Sequence, residues 1–335
     1  MTSRSDQLNA FLKTAGWSGA QRRPLAGDAS FRRYDRLTLG SRKAVLMDAL
    51  PGKEDIRPFL AIARHLRSLG YSAPEIYGEA VHDGFILLED FGDTTFSHRL
   101  QSGADEKTMY EGAVDFLIDL HSQATKATVP SGLPVYNTDR YLDEVFFLTD
   151  WYMPQVSERS DAARQDYEKL WREILSGVSP IRDTLVLRDF HADNLMWLPE
   201  RDGVAACGLL DFQDALAGHP AYDLMSLLED ARRDVPVDLG QAMIDRYLTA
   251  FPGIKKKAFM TSFSILAAQR HCKVIGIFTR LAVRDGKPAY LAHIPRVWRL
   301  LESTCARSDL APLTTWLETW LPAKKRNLHE ATTQT

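Results

Sequence analysis

The sequence predicts an α+β fold of two lobes, a small β-rich N-terminal lobe at about residues 1–92 and a larger, mostly helical C-terminal lobe at about 93–325. Two observations support this prediction. Before residue 92, short runs with strand patterning surround one strongly amphipathic helix. After it, helical periodicity dominates and the remaining strands are short. We expect residues 326–335 to form a frayed tail.

The N-terminal lobe is predicted to open with a helix over residues 5–16 that Ser5 caps. Two strands, SFRRYDRLTL and KAVLMDAL, follow and are joined by a turn at Gly40 and Ser41. The segment EDIRPFLAIARHLRSLG has the pattern of an amphipathic helix that ends at Gly70. A short buried strand in DGFILLEDFG completes the order strand, strand, helix, strand.

The C-terminal lobe begins with apolar residues at helical spacing around residues 116–121. Further helical patterns cover about 139–157 and 162–176. Three short strands come next, TLVLRD, NLMWLP and ACGLLDF, and the turn-rich segment ERDGV joins the last two. From Pro220 onward the pattern is helical, with a long stretch at about 256–280.

Composition and charge are those of an ordinary globular protein: 335 residues, 45% hydrophobic and 25% charged. A formal net charge of -3 gives no attraction to nucleic acid or to an anionic membrane, and no obligate protein partner is indicated. The three cysteines are far apart and form no CxxC pair, which favours a reducing compartment. No secretory signal or membrane-spanning apolar run is present, so we expect a cytoplasmic protein.

Polar residues crowd into the segment LVLRDFHADNLMWL, residues 185–198, where Asp189, His191, Asp193 and Asn194 stand between apolar strands. Burying so many polar groups is costly unless an ion or ligand engages them. A second acidic cluster, LLDFQDALAGHP, follows about twenty residues later at the end of another apolar strand. This combination favours phosphoryl transfer, in which one Asp accepts a hydroxyl proton while an Asn and a second Asp hold Mg²⁺ against nucleotide phosphates.

The segment LRDFHADN resembles the catalytic loop of the protein-kinase-like superfamily in its aminoglycoside phosphotransferase form, whose pattern is H-x-D-x-x-x-x-N. The resemblance implies a bilobal protein-kinase-like fold with ATP and Mg²⁺ as cofactors. It places Asp189 at the catalytic base, Asn194 at one metal position and Asp211 of LLDF at the other. Leu187 stands where the pattern usually has His, a departure that concerns loop packing more than chemistry.

Four longer segments narrow the resemblance to the anomeric sugar kinases of bacterial cell-wall recycling, over about residues 22–300. They are LAGDASFRRY, AVLMDALPGKEDIRPFLAIARHL, LLDFQDALAGHPAYDLMSLLEDARRDV and QRHCKVIGIFTRLAVRDGKPAYLAHIPRVW. That resemblance implies an ATP-dependent kinase that phosphorylates the 1-hydroxyl of N-acetylmuramate or N-acetylglucosamine. Its partners would then be ATP and a small-molecule amino sugar.

The nucleotide site departs from the kinase pattern at Met47, where a Lys normally grips the α- and β-phosphates. Arg32 and Arg33 are candidates for the missing cation, since Arg presents a fork suited to phosphate oxygens. Both could equally be solvent-facing strand residues. The run LLEDFG resembles the hinge that carries adenine, which predicts backbone contacts to the base near Glu89 and Phe91.

The sugar is predicted to contact Gln213 and Asp214, because planar polar side chains suit hydroxyl pairs and both follow the metal position closely. Arg270 lies on a largely apolar helix, and we weigh a core position evenly against a cleft position. In the cleft it would hold an acyl oxygen or the lactyl carboxylate of muramate. Glu144 is a weaker candidate for substrate binding, because its helix carries an aromatic stripe typical of a core.

Two further polar residues are assigned structural roles. His191 follows the presumed base by two positions, and we expect it to bond to backbone within the loop rather than transfer a proton. Asp223 lies on the helix after the metal strand, and the resemblance implies that it braces the catalytic-loop backbone.

Two other functions remain as alternatives. One is an aminoglycoside phosphotransferase, or a phosphotransferase for another small-molecule hydroxyl. A polycationic antibiotic calls for an acidic cleft, whereas QRHCK and FTR are basic. The other is a nucleotide-binding pseudokinase, which Met47 suggests and which the intact base and metal positions oppose.

Overall fold

The structure, a computed structural model, describes residues 3–25, 32–307, 310–326 and 328. The loop LAGDAS, predicted to turn over phosphates, lies mostly outside the described residues. The strands in the described part of the chain are β1 Gln21–Pro24, β2 Arg33–Leu39, β3 Arg42–Asp48, β4 Ile76–Ala80, β5 Phe85–Leu88, β6 Thr184–Val186, β7 Leu195–Trp197, β8 Cys207–Leu209 and β9 Leu216–Gly218.

The helices are α1 Arg4–Thr14, α2 Arg57–Ser68, α3 Phe96–Gln101, α4 Glu106–Ser122, α5 Thr125–Thr128, α6 Thr138–Phe147, α7 Met153–Val156, α8 Asp161–Ser176, α9 Ala221–Leu228, α10 Val237–Ala250, α11 Lys256–Val283, α12 Ile294–Arg307 and α13 Ala311–Trp320. A π-helix, Leu148–Tyr152, links α6 to α7. Short 3₁₀ turns cover Gly203–Ala206, Pro288–His293 and Ala323–Lys325. No helix among the described residues is long and apolar enough to cross a membrane.

The chain divides into two compact units. The first takes the described residues of Met1–Asp119 and Ala192–Ala215, and the second those of Leu120–His191 and Leu216–Thr335. The chain therefore passes from the second unit to the first and back within the segments that carry the predicted site. The division at residue 92 that the sequence suggested, with a tail after residue 325, stays a prediction.

The first unit contains a five-stranded antiparallel sheet in the order β1–β2–β3–β5–β4. The predicted β2–β3 hairpin is confirmed, and Gly40 in its turn has φ 60°, a conformation that glycine adopts without steric cost. Helix α1 packs on the sheet through buried apolar side chains, namely Leu8, Leu12, Trp17, Leu37, Leu46 and Phe85. Strands β1 and β4 were not predicted; β1 is fully exposed and has no apolar alternation.

Of two predicted helix ends in the first unit, one is confirmed and one is wrong. Gly70 follows the last turn of α2 with φ 87°, as predicted. The predicted cap of α1 at Ser5 is wrong, because the cap is Ser3. Its hydroxyl accepts from the backbone N–H of Asp6, whose carboxylate accepts in return from the N–H of Ser3.

A second hairpin in the first unit, β7–β8, positions the presumed metal residues. Leu195 lies opposite Leu209, and the N–H of Leu210 donates to the carbonyl of Asn194 at 2.9 Å. The predicted pairing of these strands through ERDGV is confirmed. As a result, Asn194 at the start of β7 and Asp211 just after β8 come to the same end of the hairpin.

The second unit is mostly helical around α11, which contacts α6, the π-helix, α9 and α12. Its one strand pair among the described residues is β6 with β9, and β9 was not predicted. The single helix predicted over 139–157 is interrupted by the π-helix. That widened turn precedes Pro154, whose missing N–H breaks the α-helical series of hydrogen bonds.

Candidate active site

Backbone strain marks the two predicted catalytic segments. In the described part of the chain, the non-glycine residues with positive φ are Arg188, at 71°, and Asp211, at 57°. Such conformations cost about 1–3 kcal/mol and cluster at functional sites. Arg188 directly precedes Asp189, and Asp211 is the acidic residue of LLDF. The strain therefore points to the segments that the polar pattern had singled out.

The strained turn before Asp189 is braced from α9. The carboxylate of Asp223 accepts from the backbone N–H of Leu187 at 2.6 Å and of Arg188 at 2.9 Å. The hydroxyl of Ser226 donates to the carbonyl of Arg188 at 3.3 Å. Burial raises the pKa of Asp223 to about 7, although the two backbone donors oppose that shift. This is the geometry expected of the bracing role predicted for Asp223.

Asp189 is an ionised carboxylate among cations. Burial acts to raise its pKa, but the charges of Lys273, Arg270 and Arg188 outweigh burial and hold that pKa below the usual range. Its Oδ1 lies 3.5 Å from Nη2 of Arg270, and 36% of its side-chain surface remains accessible. Asp189 can therefore accept a hydrogen bond from a ligand hydroxyl. Arg270, predicted to contact the sugar, lies against the presumed base.

His191 is neutral. Burial lowers its pKa well below the ordinary value, and the charges of Arg232 and Arg270 act in the same direction. Its Nε2 lies 3.0 Å from Nη1 of Arg232, which can only donate, so Nε2 accepts. The sequence predicted a backbone partner, whereas this partner is a side chain. A neutral acceptor nitrogen fits a structural role better than proton donation.

Glu144, a weaker candidate for sugar binding, is engaged within the protein. Its carboxylate accepts from Lys273 Nζ at 3.0 Å, from Gln269 Nε2 at 3.0 Å, and from the Tyr136 hydroxyl and the Arg188 guanidinium. Burial acts to raise its pKa, but Lys273 and Arg188 lower it. The side chain is buried, and its sugar contact stays a prediction.

The presumed metal residues lie together in the first unit. Nδ2 of Asn194 is 3.5 Å from Oδ2 of Asp211, and Nε2 of Gln213 donates to Oδ1 of Asp211 at 2.8 Å. A rotation of the Asn194 amide exchanges its N and O, which would present two oxygens to one ion. Among the described residues, no group of three His, Cys, Asp or Glu side chains is placed to hold a metal. The pair suits Mg²⁺, which proteins often bind through one or two side chains plus phosphate oxygens.

Gln213 and Asp214, the predicted sugar contacts, differ in exposure. Gln213 is buried beside Asp211, whereas Asp214 is exposed. Nε2 of Gln213 also lies 3.3 Å from Oδ2 of Asp214. Gln213 thus orients the Asp211 carboxylate, and the sugar contacts of both residues stay predictions.

The two candidate phosphate cations are placed differently. Arg32 is buried, and its Nη2 is 3.1 Å from Oε2 of Glu54, whereas Arg33 is exposed. Burial lowers the pKa of Arg32, but nearby charges, Glu54 and Asp211 among them, raise it. Met47 is fully buried, as a packing residue would be. Arg32 is therefore the better candidate of the two, because it lies within the electrostatic influence of Asp211.

The predicted hinge is held by two arginines of the first unit. The backbone N–H of Glu89 donates to the carbonyl of Glu75 at 2.8 Å, and its carboxylate pairs with the guanidinium of Arg201. Arg201 also lies 5.0 Å from the ring centroid of Phe91. A second cation, Arg67, is 3.7 Å from the Glu89 carboxylate. These contacts order the hinge, and its contacts to adenine stay predictions.

A cavity of about 560 Å³ opens elsewhere in the second unit. It lies between the π-helix and the start of α8, and its lining residues are Thr149, Asp150, Trp151, Met153, Arg159, Ser160, Asp161 and Arg164. None of the predicted site residues belongs to this lining.

Comparisons with known proteins place the chain in a family. The sequence model of the phosphotransferase enzyme family matches residues 21–256. The N-acetylmuramate/N-acetylglucosamine kinase of Caulobacter vibrioides is 35% identical and aligns with 95% of this chain and 96% of its own length. The protein of the same name from Pseudomonas aeruginosa is 36% identical, over 93% of this chain and 95% of its own.

A solved structure shows the fold. Spectinomycin phosphotransferase in complex with ADP and spectinomycin superposes with a TM-score of 0.64, over 89% of this chain and 97% of that one, at 13% identity. The predicted protein-kinase-like fold, with its small antiparallel sheet and its mostly helical part, is confirmed.

Proposed function

The chain belongs to the phosphotransferase enzyme family, and from this premise we propose that it is an ATP-dependent cytoplasmic kinase of free amino sugars. It would phosphorylate the anomeric 1-hydroxyl of N-acetylmuramate, N-acetylglucosamine or both. Relatives named N-acetylmuramate/N-acetylglucosamine kinase are 31–36% identical over most of the chain. The structural observation that carries the proposal is the braced, strained turn that presents an ionised Asp189.

Asp189 would act as the proton acceptor. Its carboxylate would accept a hydrogen bond from the sugar hydroxyl and take the proton as the new O–P bond forms and the bond from the γ-phosphorus to ADP breaks. The products are then the sugar 1-phosphate and ADP. A hemiacetal hydroxyl is more acidic than an ordinary alcohol, so a carboxylate surrounded by cations can still serve as its acceptor.

The phosphates would be bound from the first unit. Asn194 and Asp211 would hold Mg²⁺, which supplies charge neutralisation on the nucleotide phosphates when it is bound. Arg32 would donate to phosphate oxygens in place of the lysine that Met47 replaces, with exposed Arg33 as the less favoured candidate.

Recognition of the two small molecules would use the remaining predicted residues. Glu89 and Phe91 lie on the ordered hinge and would present backbone groups to adenine. Gln213 and Asp214 would contact sugar hydroxyls, with Asp214 the more accessible.

A coupled assay of ADP release tests the function. N-acetylglucosamine and N-acetylmuramate should support turnover, whereas the 1-O-methyl glycoside of N-acetylglucosamine, which lacks the anomeric hydroxyl, should not. Phosphorus NMR of the product should show an anomeric phosphate. Asp189→Asn should lower kcat by about 10²–10⁴ while ATP binding survives. Asp202→Asn, a matched change of an exposed Asp in the β7–β8 turn, should leave kcat unchanged.

The same assay separates the alternatives. Turnover of an aminoglycoside or choline without turnover of amino sugars would identify a phosphotransferase for another hydroxyl. Thermal stabilisation by nucleotide, with no ADP release on any acceptor, would identify a pseudokinase. An Asp189→Asn variant that keeps most of its turnover would remove the assignment of the base.

A further inference from the structure

A network of charged side chains, which we call the base network, includes the partly accessible Asp189 in the second unit. Its members are Asp189, Arg188, Glu144, Arg270 and Lys273. Arg270 Nη2 lies 3.5 Å from Asp189 Oδ1, and Lys273 Nζ lies 3.0 Å from Glu144 Oε1. Glu144 also pairs with Arg188, the neighbour of Asp189 in the chain. The network therefore links α6, α11 and the presumed catalytic loop.

Two members of the base network come from one face of α11. Arg270 and Lys273 are three residues apart, so they lie on neighbouring turns of the same face. They are 6% and 5% exposed, in a helix whose other buried residues are mostly apolar. Burying a cation is unfavourable unless it is paired, and apolar residues would fill the space at lower cost. Two buried cations here therefore suggest a requirement beyond packing.

The charges of the base network do not cancel. It has three cations, Arg188, Arg270 and Lys273, and two carboxylates, Asp189 and Glu144. The surplus positive charge lies beside the presumed base.

Other titratable groups lie near the base network, among them Asp230, a buried carboxylate whose charge acts on Arg270. On the loop of Asp189 is the neutral His191, which accepts from Arg232. On α9 is Asp223, whose carboxylate is engaged with backbone N–H groups. The largest charge effects on Asp189 nevertheless come from the cations of α11, Lys273 and Arg270, followed by Arg188.

We propose that Arg270 is a positioning residue that orients the Asp189 carboxylate and, together with the buried charge of Lys273, keeps it ready to accept a proton in mildly acidic solution, while Glu144 holds Lys273 and Arg188 in place. The proposal rests on the proposed function, because it treats Asp189 as the proton acceptor. Under this proposal Arg270 contacts Asp189, whereas the sequence predicted that it contacts the sugar. Its geometric basis is the pairing of Arg270 with Asp189 and of Lys273 with Glu144.

The effect of each substitution on the ionisation of Asp189 should depend on the sign of the charge that it removes. Loss of packing alone would not give opposite effects for cations and carboxylates. Burial alone raises the pKa of Asp189, and the cations lower it. Removing Arg270 and Lys273 should let burial prevail, so that Asp189 takes up a proton in mild acid and stops accepting one from the substrate. Removing the charge of Glu144 leaves its cations uncompensated, which should hold Asp189 ionised even more firmly.

The experiment compares kcat/KM at about pH 5.5 with that at about pH 8. A carboxylate whose pKa lies about one unit above the lower pH is only about one-tenth ionised there, so the ratio then falls about tenfold. Arg270→Met combined with Lys273→Met should lower the ratio by about tenfold or more relative to the wild type. Glu144→Gln should lower kcat at both pH values without lowering the ratio. Arg270→Lys, which keeps a positive charge at this position, should have a ratio close to that of the wild type.

Arg280→Met is the matched control, since Arg280 lies on α11 about 15 Å beyond Arg270 and contacts the ring of Phe147. Its ratio should equal that of the wild type. Thermal melting confirms that each variant is folded. Should the Met variants not fold, Arg270→Gln and Lys273→Gln keep hydrogen-bonding capacity and take their place.

The outcomes separate the two proposals. A wild-type protein with no turnover on any amino sugar overturns the proposed function. An active wild-type protein whose folded Arg270 and Lys273 variants keep the wild-type pH ratio overturns the positioning role alone. A fall in the ratio for Glu144→Gln equal to that of the cation variants also overturns it, because the charge signs then play no part.

Discussion

Gly276 of α11 lies against Phe147, the last residue of α6, and Gly276→Ala should destabilise the protein. A Cβ there would overlap the backbone carbonyl of Phe147 and lie 2.5 Å from its Cβ, whereas ordinary contact begins at 3.4 Å. The helix would have to move, because a backbone carbonyl cannot rotate away. Overpacking costs about 1–3 kcal/mol, and we take the upper end for a clash with backbone. The higher helix propensity of Ala returns about 1 kcal/mol, which leaves about 2 kcal/mol.

Thermal unfolding measures this cost. A loss of about 2 kcal/mol corresponds to a fall in Tm of roughly 3 °C for a chain of this size. Gly112→Ala in α4 is the matched control: nothing lies within 4 Å of an added Cβ, and we expect a gain of about 0.5–1 kcal/mol. The two substitutions should thus shift Tm in opposite directions. A Gly276→Ala protein as stable as the wild type would refute the close approach of α11 to Phe147.

Further variants test three individual roles. Asp211→Asn should abolish turnover or sharply raise the Mg²⁺ requirement, and an unchanged Mg²⁺ titration would refute that metal role. Arg32→Ala should lose about 1.5–3 kcal/mol in kcat/KM for ATP, whereas exposed Arg33→Ala should stay near the wild type; equal effects would contradict the choice of Arg32. Because Asp223 has a folded pKa of about 7, above an unfolded value of about 4, it contributes stability at low pH that is lost as pH rises to 7. Asp223→Asn should flatten that decline in the free energy of unfolding, measured with urea between about pH 4 and 7, and an unchanged slope would count against the shift.

Local patterns predicted much of the fold because they depend on neighbours in the chain. The β2–β3 hairpin followed from two apolar runs joined at Gly40, and the end of α2 followed from Gly70. Strand β9, Leu216–Gly218, could not be found in this way. It is three residues long, too short to show a period, and it exists because it pairs with β6 about thirty residues earlier in the chain. Such a strand is specified by tertiary pairing rather than by its own sequence.

The base network shows the same limit at the site. The motif predicted Asp189 as the base, and Arg270 was noted as a charged residue on a largely apolar helix. The sequence could not tell that Glu144 is the carboxylate that holds Lys273, because the two are 129 positions apart, or that it also holds Arg188, 44 positions away. Buried cations require acidic partners, so the sequence predicts that some carboxylate must come to α11. Which carboxylate comes is decided by the packing of α6 on α11, and that packing depends on the close approach at Gly276. A substitution at this glycine should therefore affect both the stability of the fold and the charges around Asp189.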